Sequence, residues 1–226
     1  MSIFISFEGA DGSGKSSQAR IAAEKLRKIG YDVVLTREPG GSSGAEQIRS
    51  LILQGDADRW SPETEILLFT AARRDHLERT ILPALKRGAI VITDRYADST
   101  RVYQGAARGD LRETVDALHR LMIIKEPDLT LLLDLEPEVG LARGMVRNGV
   151  IEAAGLDEGR FERMGLSFQQ RLHQGFRELP DEFPERCVRI DADGDFVTVS
   201  DRIMPVILMS LSKQIEPSEE TIFHNT

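Results

Sequence analysis

Gly9-Ala10-Asp11-Gly12-Ser13-Gly14-Lys15-Ser16, followed by Ser17, is the stretch of this chain best suited to chemistry. The spacing G-x-x-x-x-G-K-[ST] lets the backbone curl so that successive N–H groups point at one anion, with the positive end of a helix behind them. Lys15 would reach the β- and γ-phosphates of a nucleoside triphosphate, and the Ser16 hydroxyl would ligate Mg²⁺. Asp94 is a second candidate, closing the apolar run Ala89-Ile90-Val91-Ile92-Thr93. A carboxylate there suits holding Mg²⁺ or its water shell opposite Ser16, although Asp also ends strands simply as a turn former.

Cationic residues form the third group. Arg37, Arg49, Arg73, Arg74, Arg95, Arg101 and Arg108 gather in one half of the chain, and Arg143, Arg147, Arg160 and Arg163 in a later stretch. The formal net charge is −8. That balance argues against a protein that coats nucleic acid and for arginines that meet small phosphorylated ligands, with solvated helix faces accounting for some of them.

These residues need a scaffold. The apolar run Ile3 to Phe7 reads as a strand before the loop, and Ala19, Ala22, Ala23 and Leu26 give helical spacing that ends at Gly30. A strand at Asp32–Thr36 is broken by Arg37-Glu38-Pro39-Gly40-Gly41 at its carboxyl end, where ligands bind in open α/β sheets. A helix is expected over about 44–53. Ser61-Pro62-Glu63 starts a long helix, with Ser as cap and Pro at the first position. Leu67, Leu68, Ala71 and Ala72 mark its buried stripe, while Phe69 and Arg73 share a face that can look into a cleft.

Further on, the pattern predicts a helix over 111–124, a buried strand at Leu129–Asp134, a helix opened by Pro137, a helix over 161–179, a strand at Cys187–Asp191 and a closing helix over 196–211, interrupted near Pro205. Residues 147–160, rich in glycine and acidic residues and flanked by arginines, read as a mobile lid that carries arginines to phosphates, or else as an exposed loop with ordinary surface charge. Five short strands alternating with helices imply right-handed crossovers and a parallel sheet covered on both faces, in a single α/β domain spanning 1–211. Residues 212–226 lack a packing pattern and are expected to be a disordered tail.

The 226 residues are 41% hydrophobic, enough for an ordinary core. No apolar run approaches the roughly 18 residues of a membrane span, and no charged leader with a small-residue cleavage site opens the chain. Cys187 is the only cysteine, consistent with a reducing cytoplasm and with a small buried apolar residue. Histidines at 76, 119, 173 and 224 are too scattered for a zinc site. The guanine-reading N-K-x-D of a GTPase is absent, and a nucleic-acid motor would be larger and more basic. What remains is a small kinase with a second anion site and a lid.

At this point a resemblance enters. Phe7 to Ser17, Thr36-Arg37-Glu38-Pro39-Gly40-Gly41, Asp94-Arg95-Tyr96 with Ser99-Thr100 and Tyr103-Gln104-Gly105, and Gly159-Arg160-Phe161-Glu162 together resemble bacterial thymidylate kinase, over nearly the whole chain to about residue 211. The resemblance implies a three-layer P-loop kinase fold with a five-stranded parallel sheet and a short lid, a cytoplasmic homodimer, and the reaction ATP + dTMP → ADP + dTDP. It also implies roles. Phe69 stacks on thymine, Arg73 bonds its exocyclic oxygen, and Ser99, Thr100 and Gln104 finish the base pocket. Tyr103 crowds the position of a ribose 2′-hydroxyl, and Asp11 accepts from the 3′-hydroxyl. Arg95, Arg37 and Arg49 surround the monophosphate, beside Pro39, and Glu38 orients those arginines or a metal-bound water.

One branch of the family carries its catalytic arginine in the phosphate loop and the other in the lid. Ala10-Asp11-Gly12-Ser13 has no basic residue, so the lid must supply it: Arg160 first, Arg147 second, with Arg143 on the ATP side. Departures are Gly159 where the lid usually has Asp, Ser16-Ser17 where Thr-Thr is frequent, and Ala106-Ala107 in a stretch often rich in glycine. Another nucleoside monophosphate kinase, or a regulator that binds ATP without turnover, are the alternative readings.

Overall fold

The computed structural model describes residues 2–56, 58–107, 109–143, 161 and 164–214. Arg108, the expected lid arginines Arg147, Arg160 and Arg163, and tail positions 215–226 lie outside them.

Strands β1 (Ile3–Glu8), β2 (Val33–Arg37), β3 (Ile90–Asp94), β4 (Leu129–Asp134) and β5 (Cys187–Asp191) form one parallel sheet in the order β2-β3-β1-β4-β5. The helices are α1 (Lys15–Lys28), α2 (Ser43–Leu53), α3 (Pro62–His76), α4 (Leu82–Lys86), α5 (Ala97–Thr100), α6 (Arg112–Leu118), α7 (137–143), α8 (Leu166–Glu182) and α9 (Phe196–Lys213). Wide π-helical turns at Leu77–Ile81, Arg101–Ala107 and His119–Ile123 extend α3, α5 and α6. Local signals behave as expected: the Ser61 side chain accepts from Thr64 N at the start of α3, and Asp195 does the same for Thr198 N at α9.

Alternation along the strands sorts the core into two layers. Ile3, Ile5 and Phe7 pack with Ala19, Ala22 and Leu26 of α1 and with Ile203 and Ile207 of α9. Phe4 points the other way, onto Leu77, Ile81 and Tyr96, and Leu132 meets Phe168 and Phe176 of α8. All of β1 is buried because helices cover both faces, as parallel sheets require. Each fully buried Ile or Phe contributes roughly 1.5–3 kcal/mol.

Register then gathers the chemistry at one edge. Phe7 and Arg37 both sit opposite Asp94, so Glu8, Arg37 and Asp94 emerge together at the carboxyl ends of the strands. The chain crosses from β1 to one side and later returns to the other. Its phosphate loop therefore leaves from the point where strand order reverses, the usual ligand crevice.

Some expectations need correction. In α3 Leu67 is 59% exposed and Ala71 is exposed, while Glu65, Ile66, Ala72, Arg73 and His76 are buried. The inner side of this helix lines a polar cleft, so Glu65, Arg73 and His76 turn inward beside Ile66 and Ala72, and of the expected stripe Leu67 and Ala71 face out. Helix α9 is not interrupted at Pro205. That residue lies on the exposed side, where water can satisfy the carbonyl left without an N–H partner. The same helix runs to Lys213, so positions 212 and 213 are helical rather than tail. The helix expected from Phe161 begins at Leu166, after Gly165 with φ 80°.

Candidate active site

Between Glu8 and Lys15 the chain turns tightly. Gly12 has φ 78°, and a Cβ there would stand 2.0 Å from the Gly140 carbonyl of α7. At Gly9, φ 135°, a Cβ would stand 2.5 Å from Leu133 O of β4. Only glycine fits a loop pressed this closely against backbone. Ser13 Oγ is buried there without a hydrogen-bond partner among the described residues. Lys15 folds back over the loop, its Nζ donating to Ala10 O at 2.8 Å. Burial first, and then the charge of Arg95, push Lys15 down to about 8.

Ser16 Oγ donates to Asp94 Oδ2, while Asp94 Oδ1 is buried with no partner among the described residues. A buried carboxylate oxygen left bare is costly, and a hydroxyl beside a carboxylate is the hard-oxygen set that suits Mg²⁺. These residues fit the ion.

Two cavities meet at the loop. An acceptor cleft of about 670 Å³ is lined by every residue expected to bind substrate: Asp11, Arg37, Glu38, Pro39, Arg49, Phe69, Arg73, Arg95, Ser99, Thr100, Tyr103 and Gln104. A second bay of about 630 Å³ is lined by Gly12, Ser13, Gly14, Lys15, Ser16 and Ser17, with Arg143 and Phe196 across from them. Lys15, Ser16 and Arg20 line both. Gly9 and Ala10 contribute carbonyls, to Arg95 and Lys15 respectively.

At one end of the cleft Arg95 holds the left-handed conformation, φ 70°, unusual for a side chain of its size. Its Nη1 donates to Gly9 O at 3.1 Å and Ser99 Oγ at 3.0 Å, and its Nη2 to Asp11 Oδ1 at 2.5 Å and Tyr103 Oη at 3.1 Å. Tyr103 Oη in turn donates to Asp11 Oδ2 at 2.9 Å. Burial works against the charge of Arg95, but Tyr103, Asp11, Asp94 and Glu8 outweigh it and push the guanidinium up. Glu8 braces this turn from beneath. Its carboxylate, fully buried, accepts from Tyr96 N at 2.7 Å, Ser99 Oγ at 2.6 Å and Ser6 Oγ at 2.9 Å. Burial, followed by the charge of Asp98, pushes Glu8 up to about 7. Arg37 stands on the rim paired with Glu46, and Arg49 Nη1 donates to Pro39 O at 2.7 Å.

Side chains at the other end are more deeply buried. Phe69 is partly buried, and Arg73, 4% exposed, donates from Nε to Glu38 Oε2 at 2.7 Å and from Nη2 to Thr100 Oγ1 at 2.9 Å and Tyr96 O at 3.1 Å. Nη1 has no hydrogen bond to any other described residue. Gln104 Nε2 donates to Glu65 Oε2 at 3.0 Å. Glu38, expected to orient the phosphate arginines or a metal-bound water, bonds Arg73 on the inner side of α3. Ser99, expected beside the base, lines the cleft while donating to Glu8 and accepting from Arg95. Sequence reasoning missed Glu8 and His76; a Glu ending an apolar strand and a His three residues after Arg73 on one helix face were the available signals.

Two cavities that meet at Lys15 of the glycine loop, on a β2-β3-β1-β4-β5 parallel sheet flanked by helices, define a P-loop kinase fold. The family model for thymidylate kinase matches residues 7–203. The chain is 64% identical over 189 residues to a thymidylate kinase of Dinoroseobacter shibae, covering 84% of this chain and 88% of that one. It is 58% identical over 211 residues to one of Ruegeria pomeroyi, covering 93% and 97%. A crystal structure of thymidylate kinase from Ehrlichia chaffeensis matches with TM-score 0.73 and 32% identity, over 91% of this chain and 98% of that one. The chain belongs to the thymidylate kinase family.

Proposed function

We propose that the chain's reaction, phosphorylation of dTMP to dTDP, runs by direct in-line transfer from ATP across Lys15 and Ser16. The observation that carries this is that the acceptor cleft and the donor bay share those two residues, together with Arg20. In the cleft, thymine lies against Phe69 with a ring carbonyl at Arg73, and Thr100 and Gln104 close the pocket. Asp11 receives the 3′-hydroxyl, and the Tyr103–Asp11 pair crowds the space a 2′-hydroxyl would need. The monophosphate meets Arg95, with Arg37 and Arg49 on its outer side.

The acceptor needs no general base. Its attacking oxygen is already largely ionised near neutral pH, because the second pKa of a phosphomonoester is about 6. The work lies in making two anions tolerate contact. Backbone N–H groups from Gly12 to Ser16 and Nζ of Lys15 receive the ATP phosphates, and Arg143, which is exposed and lines the bay, attends the ATP side. Mg²⁺ would be held by Ser16 and Asp94 and, when bound, supplies further charge neutralisation on the triphosphate. Arg160, or else Arg147, brings the remaining cation to the transferred group.

The enzyme acts as a cytoplasmic homodimer built from one kinase domain, residues 1–211. The exposed Leu67 and Ala71 of α3 offer it apolar surface to bury. Light scattering checks the dimer. Coupled ADP release measured side by side with dTMP, dUMP, dCMP and dGMP checks the reaction: dTMP should be turned over fastest, and equal rates with all four would overturn the base assignment.

A further inference from the structure

Arg73 is buried, so the direction of its guanidinium is set by protein partners rather than by solvent. Those partners are themselves held. Glu38 takes Nε of Arg73 on Oε2 at 2.7 Å, and its other oxygen, Oε1, lies 2.9 Å from Nδ1 of His76. His76 Nε2 lies 2.7 Å from Thr36 Oγ1. A carboxylate only accepts, so Nδ1 carries the hydrogen and donates to Glu38, while Nε2 meets the Thr36 hydroxyl.

His76 is wholly buried and follows Arg73 by three residues on the inner face of α3. The loop after β2 is shaped around this contact. A Cβ at Gly41, where φ is 82°, would come within 2.4 Å of both His76 Nε2 and Thr36 Oγ1. Room for the ring therefore exists because position 41 is glycine. Thr36 of β2, Glu38 of the loop, and His76 and Arg73 of α3 form one continuous chain of hydrogen bonds ending at the cleft.

We propose that His76 is a positioning residue for base selection: it fixes Glu38, and Glu38 fixes Arg73 with a free N–H directed at a ring carbonyl. The ligand class so selected is the 4-oxo pyrimidine, thymine or uracil, against the 4-amino pyrimidine, cytosine. A guanidinium has donors only, so an amino group opposite it leaves donors unpaired in a dry site, and rejection follows. Rejection requires a guanidinium that cannot swing away, and an unanchored arginine stem could. This inference rests on the assignment of Arg73 to the base made above.

The test compares kcat/KM for dTMP and dCMP in His76→Asn, His76→Gln and Arg73→Ala. The Asn amide nitrogen reaches the position of Nδ1 and keeps the donor to Glu38; the Gln amide reaches that of Nε2 and keeps only the Thr36 side. His76→Asn should hold the dTMP-to-dCMP ratio within about threefold of the parent, and His76→Gln should lower it about tenfold, the worth of roughly one hydrogen bond, mainly through KM for dTMP and with KM for ATP unchanged. A general packing role would lower the unfolding temperature of both variants alike without separating their ratios. Equal ratios in the two, while Arg73→Ala collapses the preference, would overturn the proposal and leave the base assignment standing. A preference surviving in Arg73→Ala would overturn the base assignment and this inference with it.

Discussion

The acceptor cleft and the donor bay lie on either side of Lys15 and Ser16, yet they are built on opposite terms. Side chains make the cleft: Arg95 and Arg73 are each tied into bonded sets with Asp11, Tyr103, Ser99 and Glu8 at one end and with Glu38, His76 and Thr36 at the other. Backbone makes the bay, where glycines touch β4 and α7 with no side chain between. A small acceptor must be told from close relatives, which calls for fixed donors and acceptors. A triphosphate needs only converging N–H groups and positive charge. The cleft should therefore be sensitive to functional-group changes and the bay to added bulk.

The largest expected effect concerns Arg160, which lies outside the described residues. Arg160→Ala should lower kcat by about 10³-fold or more while KM for dTMP changes little, measured by steady-state ADP release; unchanged kcat would remove Arg160 from the mechanism. Next comes the cleft. Arg95→Lys keeps the charge but loses the fork that reaches Asp11, Ser99 and Tyr103, and kcat/KM for dTMP should fall about 10²-fold with KM for ATP nearly constant.

In the bay, Gly12→Ala combines a left-handed backbone with a 2.0 Å approach to Gly140 O, and should raise KM for ATP about tenfold while calorimetric dTMP binding stays near the parent value. The smallest effect needs no mutation. Lys15 sits near 8 without ligand, and a bound triphosphate favours its charged form, so ATP affinity is full below that pH and weakens above it. kcat/KM for ATP should fall about fivefold between pH 8 and pH 9, and a flat profile over that range would place the needed charge elsewhere.

Legibility follows the same division. The bay was written in local sequence, because a backbone loop has to be spelled in consecutive glycines and its lysine and hydroxyl follow at fixed offsets. The strands were legible too, since burial on both faces leaves runs such as Leu129 to Leu133. The cleft was readable as a set of residues but not as a set of bonds. The bonds of Glu38 to Arg73 and of Ser99 to Glu8 could not be read from the chain, because partners so far apart in sequence are chosen by packing. Helix α3 misled in part for a related reason: polar Glu65, Arg73 and His76 share its inner side, so Leu67 and Ala71 of the expected stripe face the surface while Ala72 is buried.

Gly12 and Gly140 stand backbone to backbone, and this has a mechanical consequence. Any adjustment of the loop around arriving phosphates pushes directly on the helix from which the chain proceeds toward Arg147 and Arg160, with no compressible side chain to absorb the motion. Occupancy of one nucleotide seat is thus felt at the root of the stretch that contains Arg147 and Arg160.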